Sequence, residues 1–458
     1  MKPTAVINLI GLTERYVNSG AMPRLKAFAE RGKMVPLETV IPSVTCPVEA
    51  SLLTGTYPSE HGIVANGWYF RDMGQVRFWE QSNHMVQRPE VWATAKTLNP
   101  EFTCAKLFWW YNMYSSVDFA ITPAPIYACD GRVIPEIYTN PLSLRDKTVA
   151  ARGQFPVFDW WGPSVSIRSS RWIADTGMWL YDQEKPTLSL MFLPHIDFAP
   201  HVHGPDAISK IAKGLGEIDE VCGDLIDFFD HRDVRVMFLA EYEIRSVSRP
   251  IMLNRRFRER GWIAFREEQG TEVVYPGSCD VFAVTDQQVA HIYVNKPSLY
   301  EEVRDIVAAE PGVAEVLEEE GKRAYHIDHP RSGEMVALAE PDSWFAYYYW
   351  LDDRKAPGYA RTVDILRKPG YDPLELFIDK NIRFPGAKYV WSLLKDKVGF
   401  RMLFDFIPLD ASLCVASHGS NTDGPVLLTQ HPELLPDERL HATQVHDVIL
   451  DHLGLLRR

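Results

Sequence analysis

Thr187-Leu188-Ser189-Leu190-Met191-Phe192-Leu193-Pro194-His195-Ile196-Asp197-Phe198-Ala199-Pro200-His201-Val202-His203-Gly204-Pro205 falls into two parts of opposite character. Residues 187–193 are a short, almost unbroken apolar run, the pattern of a strand covered on both faces. The residues after it carry one carboxylate, Asp197, and three imidazoles, His195, His201 and His203. Pro200 and Gly204-Pro205 interrupt regular structure, so this part reads as a loop beyond the strand's carboxyl end. In an open parallel sheet, that is where ligands bind. Asp197 and His201 are four residues apart, so one helical turn or a compact loop brings them together. A carboxylate with imidazoles is a set that Zn²⁺ accepts in open catalytic sites; the alternative is a cluster of satisfied histidines.

Similar apolar runs lie at 5–10, 34–37, 104–108 and 234–239, separated by helical patterns at 23–31, 47–53, 170–181 and 207–229. In the last of these, Ile208, Ile211, Leu215, Ile218, Val221, Cys222, Leu225 and Phe229 recur at three- and four-residue steps, giving one apolar face. Strands alternating with helices predict an α/β fold with a largely parallel sheet and right-handed crossovers. After Pro250 the order changes to strand 288–294, helix 298–308 and strands 313–317 and 334–339, the pattern of a small α+β insertion. A strand-like 412–416 and a final helix near 440–453 then return to the first sheet. The expected division is a core at 1–264, a cap at 265–400 and completion of the core at 401–458.

The chain has 458 residues, 46% apolar and 24% charged, which excludes disorder and fibre and suits a globular protein. A formal net charge of −13 with no long basic tract excludes a nucleic-acid partner. No stretch approaches the ~20 apolar residues of a membrane span, and the start reads as a first core strand rather than a signal segment. Cys46, Cys104, Cys129, Cys222, Cys279 and Cys414 show no C-x-x-C and no regular spacing. They read as small buried hydrophobes in a reducing cytoplasm.

Three other strand ends carry chemistry. Ile41-Pro42-Ser43-Val44-Thr45-Cys46-Pro47-Val48-Glu49-Ala50-Ser51-Leu52-Leu53-Thr54-Gly55 places Thr45 at an N-cap position with Pro47 in the first turn. A hydroxyl there faces free amides and a positive dipole end, suited to attack on phosphorus as well as to plain capping. Phe238-Leu239-Ala240-Glu241-Tyr242 ends another strand, and Ser417-His418-Gly419 offers a distant imidazole able to close a three-ligand site.

Taken in order, residues 41–55, His61-Gly62-Ile63-Val64-Ala65-Asn66, Asp197…His201…Gly204-Pro205 and Ser417-His418-Gly419 resemble the type I phosphodiesterase/nucleotide pyrophosphatase family of the alkaline phosphatase superfamily. The resemblance covers roughly 1–250 and 400–458. It implies an alkaline phosphatase-like sandwich carrying two zinc-type metals around a threonine or serine nucleophile. Thr45 matches the nucleophile, and Asp197, His201 and His418 match the ligands of one metal. The sequence departs from the family at the other metal. Ile10-Gly11 replaces Asp-Gly, Glu241-Tyr242 replaces Asp-His, and Val48 stands for the asparagine that helps hold phosphate.

The resemblance therefore implies one divalent metal, Zn or Mn, with at most Glu241 and Thr45 left for a second. Without the neighbouring ion, either another group deprotonates Thr45, with Glu241 and His203 as candidates, or a water on the remaining ion attacks instead. Cys46, Arg331 and His203 are further candidates to contact substrate. The cap stretch Asp328-His329-Pro330-Arg331-Ser332-Gly333-Glu334 either leans over the site or forms a plain turn with a surface ion pair. The clusters Phe108-Trp109-Trp110-Tyr111 and Tyr347-Tyr348-Tyr349-Trp350 either stack a ring or belong to the core. The expected function is hydrolysis of a phosphodiester, pyrophosphate or phosphonate small molecule. A non-catalytic relative that binds an anion or partner, and a phosphomutase or phosphotransferase, are the alternatives.

Overall fold

Runs of Val, Ile, Leu and Met with few polar interruptions become strands because both of their faces are covered. In the computed structural model, which describes residues 1–128, 132–397, 400, 404–436 and 438–456, seven of them come early. They are β1 (Thr4–Leu9), β2 (Lys33–Glu38), β3 (Cys104–Leu107), β4 (Phe119–Pro123), β5 (Ile137–Asn140), β6 (Leu188–Leu193) and β7 (Arg235–Leu239). Next come β8 (Val281–Asp286), β9 (Val289–Val294), β10 (Val313–Leu317) and β11 (Met335–Ala339) of a separate sheet, then β12 (Val426–Thr429) and β13 (Leu440–His441). The main sheet has the order β13-β2-β12-β7-β1-β6-β3-β4-β5.

Strands β7, β1, β6, β3 and β4 are mutually parallel. The antiparallel members are β12, between β7 and β2, and β5 at the edge beside β4. The expected largely parallel sheet is thus present. Strand β1 lies between β6 and β7, with Asn8 opposite both Phe192 and Leu239. The carboxyl ends of these three central strands therefore open side by side, which is what positions the site.

Helices α1 (Pro23–Arg31), α2 (Thr45–Thr54), α3 (Ile167–Glu184), α4 (His195–His203) and α5 (Ile208–Asp230) pack around the sheet. The apolar stripe of α5, from Ile211 through Phe229, is buried as its spacing requires; Leu215→Ala there is expected to cost roughly 2–5 kcal/mol. Its one buried acid, Asp219, accepts hydrogen bonds from the Arg24 and Leu25 amides at 2.8 Å each. That satisfies the open first turn of α1, which begins at Pro23 and has no side-chain cap of its own.

Three local expectations are corrected. Residues 195–203 form a helix rather than a loop, although Pro200 lies inside it. With only nine residues, the helix gives up one internal bond to the proline, and Gly204, at φ +84°, ends it. Thr45 is the first helical residue, and the cap position belongs to the extended Val44. The return to the main sheet is made by β12 and β13. At 412–416, Asp410 instead caps a short turn at Ala411–Leu413, and Ala416–Ser417 pairs with Arg245–Ser246 outside that sheet. The last helix is Val445–His452.

The insertion carries an antiparallel sheet in the order β8-β9-β11-β10, with a helix at Tyr300–Ala308. Its first strand, β8, has no counterpart among the expected elements. Tyr347, Tyr348, Tyr349 and Trp350 lie in the core of this part, and Phe108, Trp109 and Tyr111 are likewise buried. Cys46, Cys104, Cys222, Cys279 and Cys414 are free and buried, as expected of small hydrophobes; Cys129 lies outside the described residues. Among the described residues no helix is long and apolar enough to cross a membrane.

Candidate metal centre

Asp197 and His201 project from α4 immediately after β6, and His418 follows the short strand Ala416–Ser417. Although His418 is distant in sequence, one ligand atom from each of the three residues lies within 4.8 Å of the others, and all three side chains are buried. The hydrogen bonds around them leave the right atoms free. The His201 Nδ1–H donates to the Asp197 carbonyl at 2.7 Å, and the His418 Nδ1–H donates to the Ser43 carbonyl at 2.8 Å. Each ring is thereby held in the tautomer whose Nε2 carries a lone pair. The His201 Nε2 is buried with no hydrogen-bond partner.

Burial, and then the neighbouring His201, holds the His418 imidazole well below its ordinary range, so it is neutral at physiological pH. Burial raises the Asp197 carboxyl, with His201 and the Tyr242 hydroxyl opposing. Two imidazoles, each donating from Nδ1, and a carboxylate, one nitrogen bare in the interior, fit a divalent cation of zinc type.

Tyr242 builds one wall of this centre. Its hydroxyl donates to Asp197 Oδ1 at 3.0 Å, and its ring stacks on His418 with centroids 3.5 Å apart and planes 8° from parallel. The phenol orients two of the three ligands. Gly419, at φ +123°, lets the chain turn directly after His418, where a Cβ would meet the Gln288 amide at 3.3 Å and Val44 at 3.4 Å.

The Thr45 hydroxyl lies beside the Glu241 carboxyl and the Tyr242 phenol, and Glu241 Oε2 is buried with no hydrogen-bond partner. Behind Glu241 lies a compact polar cluster. The Asn8 amide donates to Glu241 and, at 3.1 Å, to Glu49, whose second oxygen accepts the Trp110 amide at 2.6 Å. Burial pushes Glu49 up to about 7; burial and the Glu49 charge push Glu241 well above the usual carboxylate range. Like charges this close in the interior favour a shared proton. Where the resemblance implies a second ion, the chain has the aliphatic Ile10, a phenol turned toward Asp197 and this carboxyl pair. That donor set does not fit a second zinc-type ion.

The remaining candidates are placed differently. The Cys46 thiol is buried against Tyr111, and its amide donates to Asn66 Oδ1 at 2.9 Å. With Pro47 lacking a donor, few amides of the first turn of α2 remain open toward a ligand. Arg331 spends its guanidinium on the Gly62 and Met85 carbonyls, at 2.7 and 2.8 Å, and lies over the Trp68 ring. His203 is exposed at the last residue of α4.

Asn8 and Asp286 escaped the sequence reading, and Glu49 and Asn66 entered it only as members of the stretches 41–55 and 61–66. Asn66 is held by Asp286, which accepts its amide at 2.7 Å and its Nδ2 at 3.1 Å. The β8–β9 turn also reaches the ligand loop, where the Gln288 amide donates to the His418 carbonyl at 2.9 Å. The available signal was a polar residue inside an apolar run, as at Asn8 and Asp286. Half-buried Trp79 and Trp161 flank Tyr371, whose environment includes the Asp197 charge, and form an aromatic side to the centre.

The chain is similar to known proteins both in sequence and in fold. The sequence profile described as type I phosphodiesterase / nucleotide pyrophosphatase matches residues 4–372. An uncharacterised pyrophosphatase/phosphodiesterase of Schizosaccharomyces pombe is 26% identical over 249 residues, 53% of this chain and 45% of that protein. The bis(5'-adenosyl)-triphosphatase ENPP4 of Bos taurus is 24% identical over 235 residues, 48% of this chain and 42% of that protein. The matched region thus spans less than half the length of either relative. Among solved structures, phosphonoacetate hydrolase from Sinorhizobium meliloti with phosphonoformate superposes with a TM-score of 0.62 at 16% identity, covering 99% of this chain and 95% of that one. Murine ectonucleotide pyrophosphatase/phosphodiesterase 5 in complex with AMP gives 0.61 at 15% identity, covering 100% and 96%. Both share the fold.

Proposed function

This chain belongs to the type I phosphodiesterase/nucleotide pyrophosphatase family, and from that premise we propose that it is a metal-dependent hydrolase of a small phosphodiester, pyrophosphate or phosphonate. The observation that carries this reading is the meeting of Asp197, His201 and His418 at one buried point, each imidazole presenting a free Nε2. These three residues hold one divalent ion, Zn²⁺ or Mn²⁺. When bound, the ion supplies Lewis-acid polarisation of a phosphoryl oxygen.

Thr45 is the nucleophile. Its Oγ forms the bond to phosphorus while its proton passes to Glu241, the proton shared by the carboxyl pair then resting on Glu49, and the leaving group departs in line. Water then attacks the phosphorus of the phosphothreonine and its proton leaves with the phosphate product, while the P–Oγ bond breaks and Glu241 returns its proton to the Thr45 oxygen. The Asn8 amide and the Trp110 amide steady the carboxyl pair so that Glu241 faces Thr45. Asn66 and Asp286 position the first turn of α2 through the Cys46 amide. Trp79, Trp161 and Tyr371 favour a planar organic group on the substrate, as in a nucleotide or an aryl ester.

Metal analysis of untagged protein, with turnover of a panel of aryl phosphodiesters, dinucleoside polyphosphates and phosphonates, tests the reading. Protein that binds neither Zn²⁺ nor Mn²⁺ and keeps its activity after Thr45→Ala would overturn it. Ile10, Val48 and Tyr242 favour a second reading, a non-catalytic relative that binds an anionic ligand. Metal-replete protein that binds phosphate esters yet turns over none of the panel is the outcome that selects it.

A further inference from the structure

The helix Pro385–Lys397, α6, is amphipathic in the reverse sense to the helices around the main sheet. Its inward side is largely polar. Ser392 is buried, and the Lys388 ammonium pairs with Asp405 at 2.8 Å and donates to that residue's carbonyl. Its outward side is apolar. Val390 and Trp391 lie four and three residues before Leu394, and the three are 54%, 59% and 49% exposed. Phe384 before the helix and Phe400 after it extend the surface, at 67% and 65%. Large aromatic and aliphatic side chains held this far into water on and beside one helix mark a binding surface.

The charges around the patch identify what it meets. The chain carries −13 overall, yet Lys380, Arg383, Lys395 and Lys397 surround this helix and are exposed. None of the four makes an ion pair with another described residue. Trp and Tyr beside Leu, Val and Phe, with Lys and Arg at the margin, is the composition of a helix lying in a bilayer interface. Its rings enter the headgroup boundary while long cationic side chains reach anionic lipids. An isologous contact between two copies would bring these cations together.

We propose that α6, with Phe384 and Phe400, is the surface by which this protein lies on an anionic membrane. The test is co-sedimentation of the full chain with phosphatidylcholine vesicles containing about 30% phosphatidylglycerol, compared with pure phosphatidylcholine. Binding is expected to the anionic vesicles alone and to weaken steeply toward ~0.5 M salt. The combined variant Val390→Asn, Trp391→Asn, Leu394→Asn is expected to lower the partition coefficient at least about tenfold. These side chains are solvent-exposed, so the variant keeps the wild-type melting temperature. A second variant, Lys395→Glu with Lys397→Glu, separates charge from apolar contact and is expected to abolish the preference for anionic lipid. No binding to anionic vesicles at low salt, equal binding to neutral ones, or a dimer by light scattering that the triple variant dissolves each overturns the proposal.

Discussion

Tyr242 stands where the family resemblance implies a metal ligand, yet its hydroxyl holds Asp197 and its ring faces His418. Tyr242→Phe removes the hydroxyl and keeps the stack. It is expected to weaken Zn²⁺ affinity roughly 10–100-fold while the melting temperature of the metal-free protein stays within a few degrees; competition with a fluorescent chelator checks this. Thr45→Ala is expected to lower kcat by about a thousandfold or more with bound metal unchanged, since the hydroxyl is assigned to bond-making. His201→Ala, in contrast, is expected to take bound metal from one ion per chain to near none by elemental analysis. The two variants therefore separate loss of the nucleophile from loss of the ion.

The long periodic elements were legible because apolar spacing reports burial: α1 was read to the residue, and β1, β3, β6 and β7 within one or two. β12 was missed, being four residues long and antiparallel, with no helix to announce it. The α4 segment was read as a loop because a proline weighs heavily in sequence, whereas its cost in one short helix is a single hydrogen bond. The metal ligands were legible as types at strand ends. The Asn8–Glu49–Glu241 cluster was not, because its members become neighbours only when β1, α2 and β7 pack together. At this scale, Gly419→Ala joins an unfavourable φ to close contact with the Gln288 amide. It is expected to cost on the order of 1–3 kcal/mol, read as a lowered melting temperature, and to weaken metal binding through displacement of His418.

Across the whole molecule, the second sheet and the loops at the end of the main sheet are joined at buried polar contacts, and one of them titrates. Burial raises the Asp286 carboxyl from 3.8 to about 7, only partly offset by its hydrogen bonds from Asn66. An acid whose folded pKa exceeds its unfolded value holds the extra proton in the native state. Its share of stability is therefore full below the unfolded value and declines as pH rises from about 4 to about 7. Chemical denaturation is expected to show stability falling over that range, and Asp286→Asn to flatten the slope. An unchanged slope in the variant would place the titration elsewhere.

His418 comes from a part of the chain made long after Asp197 and His201, with the insertion between them. Synthesis crosses that gap of roughly 200 residues at about 5–20 residues per second. For about ten seconds or more, the emerging polypeptide thus exposes only two thirds of its chelating group. Ion capture must then wait for the late segment to dock, which makes loading a report on completed assembly rather than a step that drives it.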